Sequence, residues 1–142
     1  MNGSTFFDTN ILVYCFDGTD QRKHEIASDL IIQAYKKGNG VISTQVLKEF
    51  YVTVTQKVSQ KMNLDAAEQA IRDFALWRVV ETSVSLILRA IKLQKQFKLS
   101  FWDSMIVVAA IVSKCSIIVS EDLQHDTIIE GTRIRNPFLP IP

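Results

Sequence analysis

Four acidic residues, Asp8, Glu49, Asp103 and Asp122, lie at or just beyond short apolar runs that read as strands, or in the first turns of nearby helices. Their side chains offer only oxygen, which suits hard cations such as Mg²⁺ or Mn²⁺ and argues against zinc. One or two such ions can bind a phosphate oxygen, lower the pKa of a bound water and stabilise the leaving oxygen of an in-line displacement. Phosphodiester hydrolysis is the natural use of that chemistry. Two carboxylates about 4 Å apart repel by roughly 4 kcal/mol at an effective dielectric near 20, so a gathered quartet calls for protons or cations. Nothing else in the chain competes as a reaction centre. The five glycines are scattered, and neither His24 nor His125 stands near an obvious nucleophile.

Three of the acids also have a plain structural explanation. Asp8 can be an Asx turn or a helix cap, and Glu49 a solvated helix residue. Asp103 fits a capping box opened by Ser100, with the acid at the third helical position folding back on the helix start. What favours a site over these separate explanations is that one architecture brings all four acids to one rim.

That architecture follows from the hydrophobic pattern. Residues 5–7 form a short apolar run that stops at Asp8, and a second apolar run starts just after it, as in a buried strand, a loop and a helix. The spacing predicts helices over residues 11–16 and 21–37, the second stopped by Gly38-Asn39-Gly40, and a brief strand over 41–43. A helix over 44–56 carries Val46, Leu47, Phe50 and Val54 on one face, with Glu49 beside it. Asn63 caps a helix to about residue 76, and a strand follows at 78–80. Helices over 83–97 and 100–113 come next, the latter apolar on nearly every side and therefore central. Strands at 117–120 and 133–135 complete the set, and all three prolines lie in the last six residues. Alternating strands and helices predict a three-layer α/β/α sandwich with a central parallel sheet of four to five strands, in one domain over residues 1–142. In open sheets of this kind the carboxyl ends of the strands hold the ligand.

Composition narrows the setting. With 47% hydrophobic and 22% charged residues the chain can bury a real core. The longest apolar run, residues 105–112, is too short to cross a bilayer, and the amino end lacks a secretory pattern, so a cytoplasmic location is expected. Cys15 and Cys115 sit among apolar neighbours, as buried reduced thiols do. The net charge of +1 hides an asymmetry: with the four acids set aside in a pocket, 16 basic groups face 11 acidic ones, a surface that attracts a polyanion weakly. Arg89, Lys92, Lys95 and Lys98 form a run without an acid. It is either a solvated face complementing the helix dipole or a nucleic-acid contact.

Four segments carry a further signal. Phe7-Asp8-Thr9-Asn10-Ile11-Leu12, Ser43-Thr44-Gln45-Val46-Leu47-Lys48-Glu49-Phe50, Phe101-Trp102-Asp103-Ser104-Met105-Ile106 and Ser120-Glu121-Asp122-Leu123-Gln124-His125 resemble, in order and separation, the successive motifs of PIN-domain nucleases. The likeness covers about residues 5–137 and is nearest to bacterial toxins of the VapC type. The resemblance implies a metal-dependent endoribonuclease with Asp8, Glu49, Asp103 and Asp122 around Mg²⁺ or Mn²⁺. It also implies Asn10 and Ser120 as polar supports, an RNA substrate, a homodimer and a small antitoxin whose tail blocks the cleft. Two positions depart from the pattern: Ser120 replaces a commoner threonine, and Asp126 stands where glycine is expected. Two readings of other classes stay open, a metal-binding module without turnover and a phosphoaspartate enzyme of the haloacid-dehalogenase type. The latter wants an acid where the chain has Asn10.

Overall fold

The computed structural model describes residues 3–140. Its strands are β1 (Ser4–Phe7), β2 (Gly40–Ser43), β3 (Arg78–Val80), β4 (Cys115–Val119), β5 (Ile128–Ile129) and β6 (Thr132–Arg135). Its α-helices are α1 (Thr9–Phe16), α2 (Gln21–Lys37), α3 (Thr44–Val52), α4 (Leu64–Phe74), α5 (Val84–Phe97) and α6 (Phe101–Val112). The sheet runs β3-β2-β1-β4-β6-β5, parallel throughout except for the β5–β6 hairpin at its edge. From β1 the chain steps outward to β2 and β3 on one side, then returns to β4 on the other. The seam between β1 and β4 is thus the switch point of the sheet. Crossovers between parallel strands are right-handed as a rule, which with this strand order assigns α1 to α4 to one face and α5 and α6 to the other. Contacts of α1 with α2 and α3, of α3 with α4, and of α5 with α6 agree with that division.

Short polar residues set each helix start. Side-chain oxygens of Asp20, Ser43, Asn63, Ser83 and Ser100 accept from the backbone N–H three residues on, at 2.8–3.2 Å. Such caps contribute about 1 kcal/mol each. Gly38, at φ +66°, ends α2 and donates its N–H to Ala34 O at 2.9 Å. Gly40 is needed for space: a Cβ there would stand 2.5 Å from the Trp77 ring. The core is continuous, and α6 contributes Met105 to Ala110 to it without interruption, which explains why its sequence has no polar face.

Two features differ from the sequence expectation. The helix predicted over 44–56 is α-helical only to Val52 and continues as a π-helical turn, Thr53–Lys57. The Thr55 hydroxyl donates to Tyr51 O at 2.7 Å, and Val58 N–H reaches back to Thr53 O at 3.2 Å. A threonine bonding back to a carbonyl one turn earlier loosens the α-helical ladder. The sheet also has a sixth strand, β5, too short to register as a pattern. Glu130 (φ +48°) and Gly131 (φ +88°) form the two-residue turn that joins it to β6.

Candidate active site

β1 ends at Phe7, and Asp8 follows as the N-cap of α1, its Oδ1 accepting from Thr9 N–H at 2.7 Å. The capping role is therefore real, but it occupies one oxygen. The other, Oδ2, accepts from the Ser120 hydroxyl at 2.7 Å across the β1–β4 seam. Asp8 is only 6% exposed. Burial, and then the negative charges of Asp122 and Glu49, push its carboxyl up to about 6 against the opposing pull of Ser120 and Thr9.

Ser120 is wholly buried at the end of β4, and its hydroxyl is fully used. It donates to Asp8 and accepts from Asp122 N–H at 3.1 Å and Leu123 N–H at 3.3 Å. Asn10 bridges the same two segments. Its Nδ2 donates to Asp122 Oδ2 at 3.0 Å and to Asp8 Oδ2 at 3.4 Å, while its Oδ1 accepts from Glu121 N–H at 3.2 Å. An amide N–H pair between two carboxylates offsets part of their mutual repulsion. Asp122 is exposed on the loop after β4, and these bonds fix its place.

Glu49 comes from α3. Its Oε1 accepts from the Thr9 hydroxyl at 2.7 Å and its Oε2 from Gln45 Nε2 at 3.4 Å, and Gln45 also donates to Trp102 O at 3.2 Å. Asp103 occupies the third position of α6. Its backbone N–H donates to Ser100 Oγ at 3.1 Å, but its carboxylate accepts no hydrogen bond among the described residues. Only half of the predicted capping box forms, and the half that is missing is the one that would have engaged the acid.

Asp8, Glu49, Asp103 and Asp122 line one cleft of about 850 Å³ at the carboxyl end of the sheet. Thr9, Asn10, Tyr14, Gln45, Lys48, Thr53, Lys57 and Trp102 share it. The acids encircle the cleft without collapsing on one point: among the described residues, no three acid, histidine or cysteine side chains stand together as a ready metal cage. The donor set nonetheless fits a hard cation. It is all oxygen, and Asp8 and Asp122 face the same Asn10 amide.

The run Arg89, Lys92, Lys95 and Lys98 is exposed on α5 and its C-cap, away from the cleft lining. Arg89 pairs with Glu130 at 3.3 Å, an acid distant in sequence. Neither histidine lies in the cleft. His24 Nδ1 donates to Tyr14 O at 2.7 Å, and His125 Nδ1 accepts from Asn136 N–H at 3.0 Å. Asp126 adopts the left-handed conformation, φ +65°, which accounts for the expectation of glycine. It faces Arg133 at 3.4 Å and Arg135 at 3.7 Å. Both thiols are free, with Cys15 pushed up to about 12 by burial.

Sequence reasoning missed several neighbours. Thr9 and Gln45, which hold Glu49, were within reach of it, because Gln45 lies one helical turn before Glu49. A brace under the Asp122 loop had no such signal. Tyr14 OH donates to Glu121 Oε1 at 2.5 Å, and Lys23 pairs with Glu121 and lies over the Tyr14 and Phe138 rings, 5.2 and 5.4 Å from their centroids. Burial, followed by the bond to Glu121, raises the Tyr14 hydroxyl above its ordinary range.

The chain is similar in fold to several solved structures. One is VapC20 of Mycobacterium tuberculosis, described as a sarcin–ricin loop cleaving toxin: 22% identity over 84% of this chain and 90% of that one, TM-score 0.67. Another is a toxin–antitoxin complex from Klebsiella pneumoniae: 21% identity, 95% and 98% coverage, TM-score 0.68. A third is VapBC2 of Rickettsia felis bound to a DNA fragment from its promoter: 16% identity, 93% and 97% coverage, TM-score 0.63. A comparison with curated protein sequences finds no significant match. The PIN domain family model matches residues 5–129, a span that holds all four acids, Asn10 and Ser120. On that match and on the parallel sheet that carries its motifs, the chain belongs to the PIN domain family.

Proposed function

We propose that this chain is a divalent-metal-dependent endoribonuclease, with Mg²⁺ or Mn²⁺ as cofactor, and the toxin of a type II toxin–antitoxin pair. The carrying observation is that four acids from four separate elements of a PIN domain line one cleft at the switch point of the sheet. Asp8, Asp122, Asp103 and Glu49 would hold the cation, which supplies charge neutralisation at the phosphate and an acidified water. The protein's own part is placement. Ser120 and Asn10 lock Asp8 against Asp122, and Thr9 and Gln45 hold Glu49 toward the cleft. The Asp103 carboxylate, without a hydrogen-bond partner among the described residues, is the one most available to a cation or an attacking water. Solved neighbours that are VapC and VapBC proteins, one of them a toxin–antitoxin complex, support the toxin reading and an antitoxin as partner; a homodimer as the working unit is part of the same proposal. No helix among the described residues is long and apolar enough to cross a membrane.

The test is cleavage of RNA by purified protein with Mg²⁺ or Mn²⁺, with EDTA, and with Asp8→Asn, Glu49→Gln and Asp103→Asn. Each variant is expected to be folded and nearly inactive, and the losses are expected not to add. Cleavage that survives EDTA overturns the mechanism. Metal binding without RNA cleavage returns the chain to a binding module.

A further inference from the structure

We infer that Trp102 is the stacking platform for a base beside the reacting phosphate of a bound RNA, with Lys48 and Lys57 as contacts to the flanking phosphates. The inference rests on the nuclease reading above and names the residues that would hold its substrate.

Trp102 is 61% exposed, although it stands one residue before Asp103 and lines the same cleft. A large apolar ring left in water beside four acids is unfavourable unless something covers it. Its placement is fixed. The indole packs edge-to-face on Phe101, centroids 5.2 Å apart at 71°, and the Trp102 carbonyl accepts from Gln45, which also touches Glu49. The platform is therefore tied through one side chain to the acid on the opposite wall.

The cations on that wall are equally distinctive. Lys23 is committed to Glu121 and Arg89 to Glu130, but neither Lys48 nor Lys57 makes an ion pair or a side-chain hydrogen bond among the described residues. Lys57 reaches the cleft because of the π-helical turn. In a regular helix, eight residues place Lys57 about 80° around the axis from Glu49. The wider turn rotates less per residue and brings Lys57 back to that side. Wide turns of this kind are frequent at functional sites.

An indole accepts a base only if the base is free of its own stack. In an A-form duplex the base faces are buried, so a platform at the scissile position selects single strands, loops or bulges. The free lysines contribute affinity without sequence preference.

The experiment measures binding of a short oligo(rA) single strand, and of an RNA duplex of the same length, to the full chain in EDTA by anisotropy and indole quenching. Cleavage of both is followed with Mn²⁺. Expected are preference for the single strand, quenching on binding, and about a 5- to 150-fold loss of affinity in Trp102→Ala, the range for one base–aromatic stack. Trp102→Phe should recover much of that loss. Trp102→Ala should leave the salt dependence unchanged, whereas Lys57→Gln should lower its slope by about 0.7. Thermal melts establish that all three variants are folded. Equal binding of duplex and single strand overturns the inference, as does wild-type affinity in Trp102→Ala while wild type still cleaves RNA. So does a Trp102→Ala defect confined to capture of a helical protein partner. If wild type neither binds nor cuts any RNA, the nuclease reading itself has failed and this inference with it.

Discussion

Ser120 and Asp8 meet across the β1–β4 seam, hydroxyl to carboxylate at 2.7 Å, 112 residues apart in sequence and both buried. The contact depends on parallel register: Phe7 pairs with Val119, so the residues that follow each strand end come out side by side. It also explains why a serine can stand where a threonine is commoner. The hydroxyl makes all three bonds, and nothing in the network uses a methyl group.

Ser120→Ala removes the donor to Asp8 and the acceptor for two loop N–H groups. The variant should lose about 1–3 kcal/mol of stability, the cost of buried groups left without partners. The Asp8 carboxyl should titrate still higher, since the Ser120 bond lowers it. Ser120→Thr should retain both stability and activity. Chemical denaturation and pH–rate profiles of the two variants check this.

Asp8 gives the metal-free protein a particular pH dependence. Its folded pKa, about 6, exceeds its ordinary 3.8, so the folded state binds the proton more tightly than the unfolded state does. That stability is fully present below pH 3.8 and is lost as the pH rises through about 6. The shift corresponds to about 3 kcal/mol. In EDTA, Asp8→Asn should therefore be the more stable protein at pH 7 by up to that amount and should match wild type near pH 3.5. Melts that give the two proteins parallel pH curves would remove the burial penalty from Asp8.

What was legible in the sequence follows from periodicity. β1, α2 and β3 lie where their apolar spacing put them, and the Asn63 and Ser100 caps are read directly from residue type. The four acids were legible because each sits close to a strand end or helix start, and a parallel sheet brings such places together. The bonds between them were not. Thr9 to Glu49 and Tyr14 to Glu121 join residues 40 and 107 positions apart through rotamers that no local pattern encodes. Lys57 was hidden because one π-helical turn changes the helical phase.

The exposed run on α5 can be set against the cleft lysines. Lys92→Gln with Lys95→Gln removes two charges that do not line the cleft. If RNA extends onto α5, its salt slope should flatten by about 0.7 for each phosphate that these lysines neutralise in the wild type. If RNA is held by the cleft alone, the slope should stay unchanged, and the run is a solvated face.

Asp103 and Ser100 can be separated by stability alone. The cap bond runs from the Asp103 backbone N–H to Ser100 Oγ, so it survives a change in the Asp103 side chain. Ser100→Ala should lower the melting temperature with or without metal, by an amount equivalent to about 1 kcal/mol. Asp103→Asn should cost nothing in EDTA, because the carboxylate accepts no bond among the described residues and its charge adds to the repulsion around the cleft. In excess Mn²⁺ the order should change. Wild type and Ser100→Ala gain stability by mass action, and Asp103→Asn gains much less. Six melts, three proteins in two buffers, give the answer. If Asp103→Asn melts lower than wild type in EDTA yet gains the same increment from Mn²⁺, Asp103 belongs to the helix and not to the metal.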